Sequence, residues 1–352
     1  MIIAKEEILR YLACARELQC ESPWIDAHVS PFEVIFNSFQ YRPNSYKEGI
    51  YSIDNSSYNP PSVGPLRVEA DLTRGRIEQT KQETGHLSTF LYRKVYAHIG
   101  SGVLGDQMKL SGIHRSLLLP VLHPESNGET EMELVNRCYG QDERFLLGYC
   151  IPNQIENTDI ISNIKSAISR YKIKAIKVHP NITGINLSLP AGKARIEAIL
   201  HACQEADLPL IIHGGVSPVI KNSANRGFSS LPNLARINWG ITKKPVVISH
   251  AGMMGASPIE IENDLLSPLK SILSSNYHVM IDISALSLSA LCLILKKISP
   301  ERIVFGSDFY YFSQWGAIAK LLHAIKLTST QIEDRFLQIV ARNSACIISQ
   351  GG

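Results

Sequence analysis

The sequence of 352 residues predicts an α/β fold in which eight parallel strands close into a (β/α)8 barrel, also called a TIM barrel. From about residue 110 onward, short runs rich in Val, Ile and Leu alternate with amphipathic stretches of helix length. The runs are almost continuously apolar, as expected of strands that are covered on both faces. With a further run near the start there are eight, which is the number that a closed barrel requires.

The eight predicted strands lie at residues 23–30, 113–121, 145–150, 173–180, 208–215, 245–252, 278–284 and 302–309. An open doubly wound sheet is the alternative arrangement for this alternation of strands and helices. No G-x-G-x-x-G sequence directly follows the first strand, and no P-loop sequence is present. The closed barrel is therefore favoured.

Three further segments have distinct patterns. The first twenty residues mix charged and apolar side chains, which predicts an amphipathic helix rather than a signal peptide. Residues 284–297 are apolar but shorter than the roughly 20 residues that span a membrane, so they predict a helix that covers the barrel. Residues 37–105 form a long insertion after the first strand, which we expect to be a lid or an inserted subdomain of a single domain at 1–352.

The composition favours a small-molecule partner. Lys and Arg number 35 against 32 Asp and Glu, and no long charged run is present, which argues against a nucleic-acid or membrane partner. The seven cysteines are scattered without C-x-x-C pairs, a pattern typical of reduced thiols in the cytoplasm. Barrels of this size often form homodimers, and the sequence leaves monomer and dimer open.

Polar residues recur at the ends of the predicted strands. Because strand residues of one parity face the barrel interior, the alternation predicts these inward sets: Asp26, His28 and Ser30; Lys177 and His179; Ile211 and His213; Val246, Ile248 and His250; Val304, Gly306 and Asp308. The carboxyl ends of barrel strands form the mouth where catalytic groups collect. Imidazoles and a carboxylate at one mouth indicate a site for zinc, with manganese as the alternative.

Each of these residues also has a structural interpretation. A single histidine at a strand end is more often a polar residue with ordinary partners than a metal ligand. The common position of His213, His250 and Asp308 on their strands favours the metal site. For Lys177 and His179 the structural and functional interpretations stay open.

The ordered motifs resemble the amidohydrolase superfamily. They are Asp26-Ala27-His28 on the first strand, Lys177-Val178-His179-Pro180 on the fourth, His213 on the fifth, Ser249-His250-Ala251-Gly252 on the sixth and Gly306-Ser307-Asp308-Phe309 on the eighth. The closing sequence at 341–350 is also similar to the helix that ends barrels of this family. More narrowly, the set resembles the amidohydrolase 2 branch, which includes aminocarboxymuconate-semialdehyde decarboxylase and related metal-dependent hydrolases.

The resemblance implies roles for individual residues. His28, His213 and Asp308 would hold the metal, His250 would be a catalytic histidine, and Lys177 and His179 would lie close to the substrate. The family usually has a second histidine on the first strand, where this sequence has Ser30. A hydroxyl is a much poorer zinc ligand than a neutral imidazole, so His250 becomes a candidate replacement ligand.

Three functions follow from these residues and this resemblance. The first is metal-dependent hydrolysis of an ester, lactone or amide of a small carboxylated substrate, with Asp308 as the proton acceptor, His250 as a catalytic group and Lys177 as an anchor for a carboxylate. The second is non-oxidative decarboxylation at the same site. The third, favoured by Ser30, is a metal-free barrel that binds a ligand without catalysis.

Overall fold

The computed structural model describes residues 2–18, 23–31, 63, 66–67, 101–122, 124–217, 223–309 and 311–348. Their strands, numbered in chain order, are β1 (Ile2–Ile3), β2 (Ile25–Val29), β3 (Leu66–Arg67), β4 (Arg115–Leu118), β5 (Phe145–Cys150), β6 (Ala175–Val178), β7 (Leu210–Ile212), β8 (Val246–Ile248), β9 (Val279–Asp282) and β10 (Ile303–Val304).

The strands β2 and β4 to β10 form one parallel sheet of eight strands in chain order. Its two edges are joined by a parallel bridge between Val29 and Phe309. The amide of Ala27 also donates to the carbonyl of Phe305 at 2.9 Å, and the amide of Asp308 donates to the carbonyl of His28 at 2.9 Å. The sheet is thus a closed barrel, and the predicted fold class is confirmed. Each of the eight predicted segments contains one of its strands.

Helices follow the barrel strands and cover the outside. The α-helices of the described residues are Lys5–Glu17, Ser101–Ser111, Glu129–Tyr139, Ile160–Tyr171, Pro180–Thr183, Pro190–Ala206, Leu231–Leu234, Pro258–Glu260, Leu266–Ser275, Leu288–Lys297, Gln314–Thr328, Ile332–Leu337 and Asn343–Ile348. The first of them and the helix at Leu288–Lys297 confirm the two helices predicted from amphipathic and apolar patterning. Within the described ranges, no helix has the length and apolar character needed to cross a membrane.

The insertion after β2 is described only in part. Val63, β3 and the start of the helix Ser101–Ser111 fall within residues 37–105, and the rest of the predicted lid or subdomain lies outside the described residues. β3 pairs with β1 as an antiparallel ladder. Residues 100–105 have the spacing G-x-G-x-x-G, but 101–105 belong to a helix and do not form a turn after a strand. The insertion therefore returns to the N-terminal segment before the second barrel strand begins.

The core has two layers. The barrel interior holds a cluster that includes Ala175, Ile211, Val247 and Val304, and the larger cluster lies between the sheet and the helices. On β8 the interior residue is Val247, whereas Val246 and Ile248 pack in the outer cluster. The predicted inward parity of β8 was therefore wrong by one residue, because a short apolar run without alternation does not reveal which face is inside.

Strand β2 departs from simple alternation as well. Its pairing with β4 contains a register shift between Asp26 and Val29. Ala27 belongs to the interior cluster, while the Asp26 carboxylate accepts a hydrogen bond from Gln314 of an outer helix at 2.7 Å. The prediction that Asp26 faces inward with His28 was wrong, because the irregularity changes the facing between them.

Candidate active site

His28 is held at the mouth by hydrogen bonds to one side of its ring. Its Nδ1 lies 2.9 Å from Oδ2 of Asp282 and 3.2 Å from the Ser284 hydroxyl. The opposite nitrogen, Nε2, lies 3.8 Å from Oδ1 of Asp308 and 3.3 Å from Nζ of Lys177. The proton on Nδ1 is donated to the Asp282 carboxylate. Nε2 therefore carries the lone pair, and it faces Lys177 and Asp308.

Asp282, at the end of β9, organises this part of the site. In addition to His28, its carboxylate accepts hydrogen bonds from the amide of His250 at 2.9 Å and from the amide of Ser284 at 3.0 Å. The Ser284 hydroxyl donates to it too. Burial acts to raise the pKa of Asp282, but the interactions with His28, together with the hydrogen bond from Ser284, outweigh it and hold that pKa well below the usual range. Asp282 is therefore an ionised carboxylate that accepts four hydrogen bonds.

His250 reaches the mouth through an unusual turn rather than by strand parity. His250 has φ +56° and Ala251 has φ +52°, so two consecutive residues without a glycine's freedom adopt the left-handed conformation directly after β8. Nδ1 of His250 lies 3.2 Å from the carbonyl of Ser284 and 2.8 Å from its hydroxyl. Because the carbonyl can only accept, Nδ1 carries the proton and Nε2 carries the lone pair. Burial is the main reason that the pKa of His250 falls to about 3, so the ring is neutral.

His213 and His179 form a stacked pair. Their ring centroids lie 3.8 Å apart with an angle of 11° between the planes. Nε2 of His213 is buried and has no hydrogen-bond partner among the described residues. His179 caps the helix Pro180–Thr183, because its Nδ1 accepts the amide hydrogen of Ile182 at 3.3 Å, which places the ring proton on Nε2. Burial lowers the pKa of both rings well below the usual value, so both are neutral.

Asp308 is the second carboxyl group of the mouth. It has φ +57°, and its Oδ1 accepts a hydrogen bond from the Ser30 hydroxyl at 3.3 Å. Burial raises the pKa of Asp308 to about 6, while His28 and the ammonium of Lys177 act in the opposite direction. Asp308 can therefore take up or release a proton close to neutral pH.

Lys177 brings a positive charge into the barrel. Its side chain is 1% exposed, and its Nζ donates to Ser249 Oγ at 3.4 Å as well as toward His28. Burial lowers the pKa of Lys177 to about 8, although the charges of Asp282 and Asp308 oppose this shift. The ammonium is thus the main proton donor among these side chains at neutral pH.

Asp26 supports the site from outside the mouth. One carboxylate oxygen accepts the amide hydrogens of His28 at 3.1 Å and Ser307 at 3.0 Å. The other oxygen accepts from the Ser307 hydroxyl and from Gln314. Burial raises the pKa of Asp26 to about 6. Asp26 joins the first and last barrel strands beside His28 and Asp308. Its carboxylate contacts backbone amides there and not the side chains at the mouth.

The donor set at the mouth suits a divalent metal ion. His28, His250 and Asp282 place ligand atoms within 4.8 Å of one another. Since the oxygens of Asp282 already accept several hydrogen bonds, we assign it to orient His28, as carboxylates behind metal-binding histidines commonly do. Nε2 of His213 has no hydrogen-bond partner among the described residues, and Nε2 of His28 lies 3.8 Å from Oδ1 of Asp308, so these three groups are further candidates for direct ligation.

A model of the amidohydrolase family matches residues 121–338 of this sequence. The chain belongs to the amidohydrolase family. The matched part contains the strands β5 to β10 and every mouth residue described above except His28 and Ser30. The family assignment agrees with the resemblance drawn from the strand-end motifs.

Solved structures share the barrel of this amidohydrolase at low sequence identity. The 5-carboxyvanillate decarboxylase of Sphingomonas paucimobilis is 13% identical, with a TM-score of 0.55 over 94% of this chain and 99% of that one. The 4-oxalomesaconate hydratase of Rhodopseudomonas palustris is 15% identical, with a TM-score of 0.53 over 93% and 96%. An amidohydrolase of Burkholderia multivorans with bound zinc is 14% identical, with a TM-score of 0.52 over 93% and 99%. No curated protein sequence matches the chain.

The amidohydrolase barrel brings all of the predicted site residues to one mouth. Nε2 of His28 lies 3.3 Å from Nζ of Lys177 and 3.8 Å from Oδ1 of Asp308. The ring centroid of His250 lies 5.0 Å from that of His28 and 4.9 Å from that of His213. Asp282 and Ser284 were not among the predicted site residues. Their positions two and four residues after the interior Met280 were the available signal.

Proposed function

We propose that the protein is a metal-dependent hydrolase that cleaves an ester, lactone or amide bond of a small carboxylated substrate. The observation that carries this proposal is Asp308, a buried carboxyl group with a pKa of about 6 and an oxygen 3.8 Å from Nε2 of His28. A carboxylate with this pKa is suited to accept a proton from an attacking water molecule near neutral pH.

In this proposal His28, His213 and Asp308 hold the metal, and His250 is a catalytic histidine beside it. Zinc is the proposed ion, with manganese as the alternative. A divalent ion bound there lowers the pKa of a water molecule from about 16 toward about 7. Asp308 and Nε2 of His250 are proton acceptors at the mouth, since His250 has its proton on Nδ1.

The mouth also offers hydrogen-bond donors. The Lys177 ammonium can bind a substrate carboxylate, and Nε2–H of His179 can donate to a second oxygen, because the Nδ1 of that ring already accepts from Ile182. Burial strengthens both interactions by excluding water. Groups that can take a proton from water, together with donors for an anion, favour a small carboxylated molecule as the substrate.

Turnover of a substrate panel tests the proposal. Purified protein supplied with zinc or manganese is assayed on esters, lactones and amides of small carboxylic acids, with wild type, Asp308→Asn and Asp159→Asn compared. We expect hydrolysis by wild type and by the variant at Asp159, an exposed helix residue, and at least a thousandfold loss in Asp308→Asn. An active Asp308→Asn variant, or a wild type without hydrolysis, contradicts the proposal.

Non-oxidative decarboxylation is the second candidate, and the buried Lys177 ammonium favours it because it can give a proton to the carbon that keeps the bonding electrons when carbon dioxide departs. The same panel therefore includes 5-carboxyvanillate and 2,6-dihydroxybenzoate, the substrates named for structures of the same fold. Release of carbon dioxide from either one without hydrolysis of the other compounds assigns this second reaction. A protein that binds neither metal and converts nothing is instead a barrel that binds a ligand without catalysis.

A further inference from the structure

Lys177 and a metal ion require the same atom. Nζ of Lys177 lies 3.3 Å from Nε2 of His28, and the hydrogen bonds of that ring leave only the Nε2 lone pair free to accept. The lone pair that receives the ammonium is therefore the one that a metal would use. The two cations cannot share it.

Two buried carboxyl groups attract an internal cation to this position. Asp282 and Asp308 are buried carboxyl groups that attract Lys177, and the lysine side chain is 1% exposed. A divalent ion placed at His28 would face the ammonium at short range in a dry environment, where repulsion between like charges is strong. Ser30 strengthens the competition from Lys177, because the first strand then offers the metal one imidazole ligand rather than two.

We propose that the Lys177 ammonium occupies the metal position at His28 in the free protein, and that a metal ion binds by displacing it toward Ser249. The Ser249 hydroxyl already accepts from Nζ at 3.4 Å, so the lysine has a second partner when it leaves His28. Displacement also frees the ammonium to meet a substrate carboxylate. Metal uptake then prepares the site to bind an anion. This inference rests on the proposed function for its metal and deepens it by assigning a cation that competes for the metal position.

Metal affinity measured by calorimetry tests this competition without any assay of turnover. Zinc and manganese are titrated into the full-length protein, freed of metal by a chelator, as wild type, Lys177→Met, Lys177→Gln and Lys177→Arg. We expect Lys177→Met and Lys177→Gln to bind at least one of the two ions about tenfold more tightly or better, since the repelling charge is gone. Lys177→Arg keeps the charge and should show no such gain. Lys165→Met removes an exposed lysine on the helix Ile160–Tyr171 and controls for net charge.

Lys177→Met and Lys177→Gln both remove the charge but differ in polarity. If one of them fails to fold, the other still provides the test. Thermal melting shows which variants are folded. Equal or weaker binding by the folded neutral variants overturns the competition. If wild type nevertheless binds metal and hydrolyses a substrate, only this inference fails. If neither wild type nor the neutral variants bind either ion, both this inference and the proposed metal-dependent function fail.

Discussion

Nδ1 of His28 and Oδ2 of Asp282 lie 2.9 Å apart, and both side chains are buried at the mouth of the barrel. This contact fixes which nitrogen of His28 carries the proton, and the same carboxylate accepts the amide hydrogen of His250. One carboxylate at the end of β9 therefore orients His28 on β2 and His250 just after β8. The chemistry of the site depends on a residue that need not contact the substrate.

Asp282→Asn is expected to weaken zinc binding by about ten- to a hundredfold while the barrel still folds. The asparagine amide has a single acceptor oxygen. Its NH2 group would face either Nδ1–H of His28 or the amide N–H of His250, which now donate hydrogen bonds to the carboxylate. Calorimetry of the metal-free protein measures the change, with Asp159→Asn as the matched control. Unchanged zinc affinity would show that the Asp282 carboxylate does not orient His28.

Gly306→Ala is expected to lower the free energy of unfolding by about 1 to 3 kcal/mol and to reduce activity strongly. A Cβ at this position would lie 2.8 Å from Cβ of His28 and 3.3 Å from Cβ of Asp282, so one of the two side chains must move. Gly102→Ala is the control, because a Cβ there meets nothing within 4 Å and lies on a helix. Urea denaturation and the hydrolysis assay report the two effects. Wild-type values for both would contradict this account of the packing.

The contribution of Asp26 to the stability of the metal-free protein is expected to fall as the pH rises from about 4 to about 6, whereas the buried neutral rings of His179, His213 and His250 act in the opposite direction. Asp26 has a pKa raised from 3.8 to about 6, so in this window the folded protein holds a proton that the unfolded chain releases. The contribution of Asp26 is about 3 kcal/mol over the window. Asp308 has a pKa of about 6 and acts in the same direction.

Relative to wild type, Asp26→Asn should therefore make the change in the free energy of unfolding from pH 4 to pH 6 more positive, by about 3 kcal/mol. The amide of Gln314 can turn to match the new side chain, since its oxygen has no hydrogen-bond partner among the described residues. Urea denaturation at several pH values, with a chelator present, measures the slope, and Asp159→Asn is the control. A variant with the full wild-type slope would mean that Asp26 does not contribute to it.

His179→Asn is expected to raise KM for a carboxylated substrate by about tenfold or more with little change in stability. Asparagine can still cap the helix Pro180–Thr183, which now uses Nδ1 of His179, but it cannot place a donor where Nε2–H lies. His179→Ala removes the cap as well and should lose about 1 kcal/mol. Steady-state kinetics and thermal melting separate the two roles. An unchanged KM in both variants would limit His179 to capping.

The sequence by itself determined the barrel, because eight apolar runs separated by helices have few ways to bury both faces of a sheet. It also placed His213 correctly, since Ile211 and His213 share the inward face of β7. These features depend on local patterning along single strands.

Only the tertiary structure decided how the remaining site residues meet. His250 reaches the mouth because it and Ala251 adopt the left-handed conformation after β8. The register shift in β2 turns the side chain of His28 toward the mouth while that of Asp26 points to the outer helices. The roles of Asp282 and Lys177 depend on contacts with His28, more than 100 residues away in the chain. Hydrogen bonds between distant strands fix the protons and charges of the mouth, and such contacts leave no periodic signal in the sequence of any one strand.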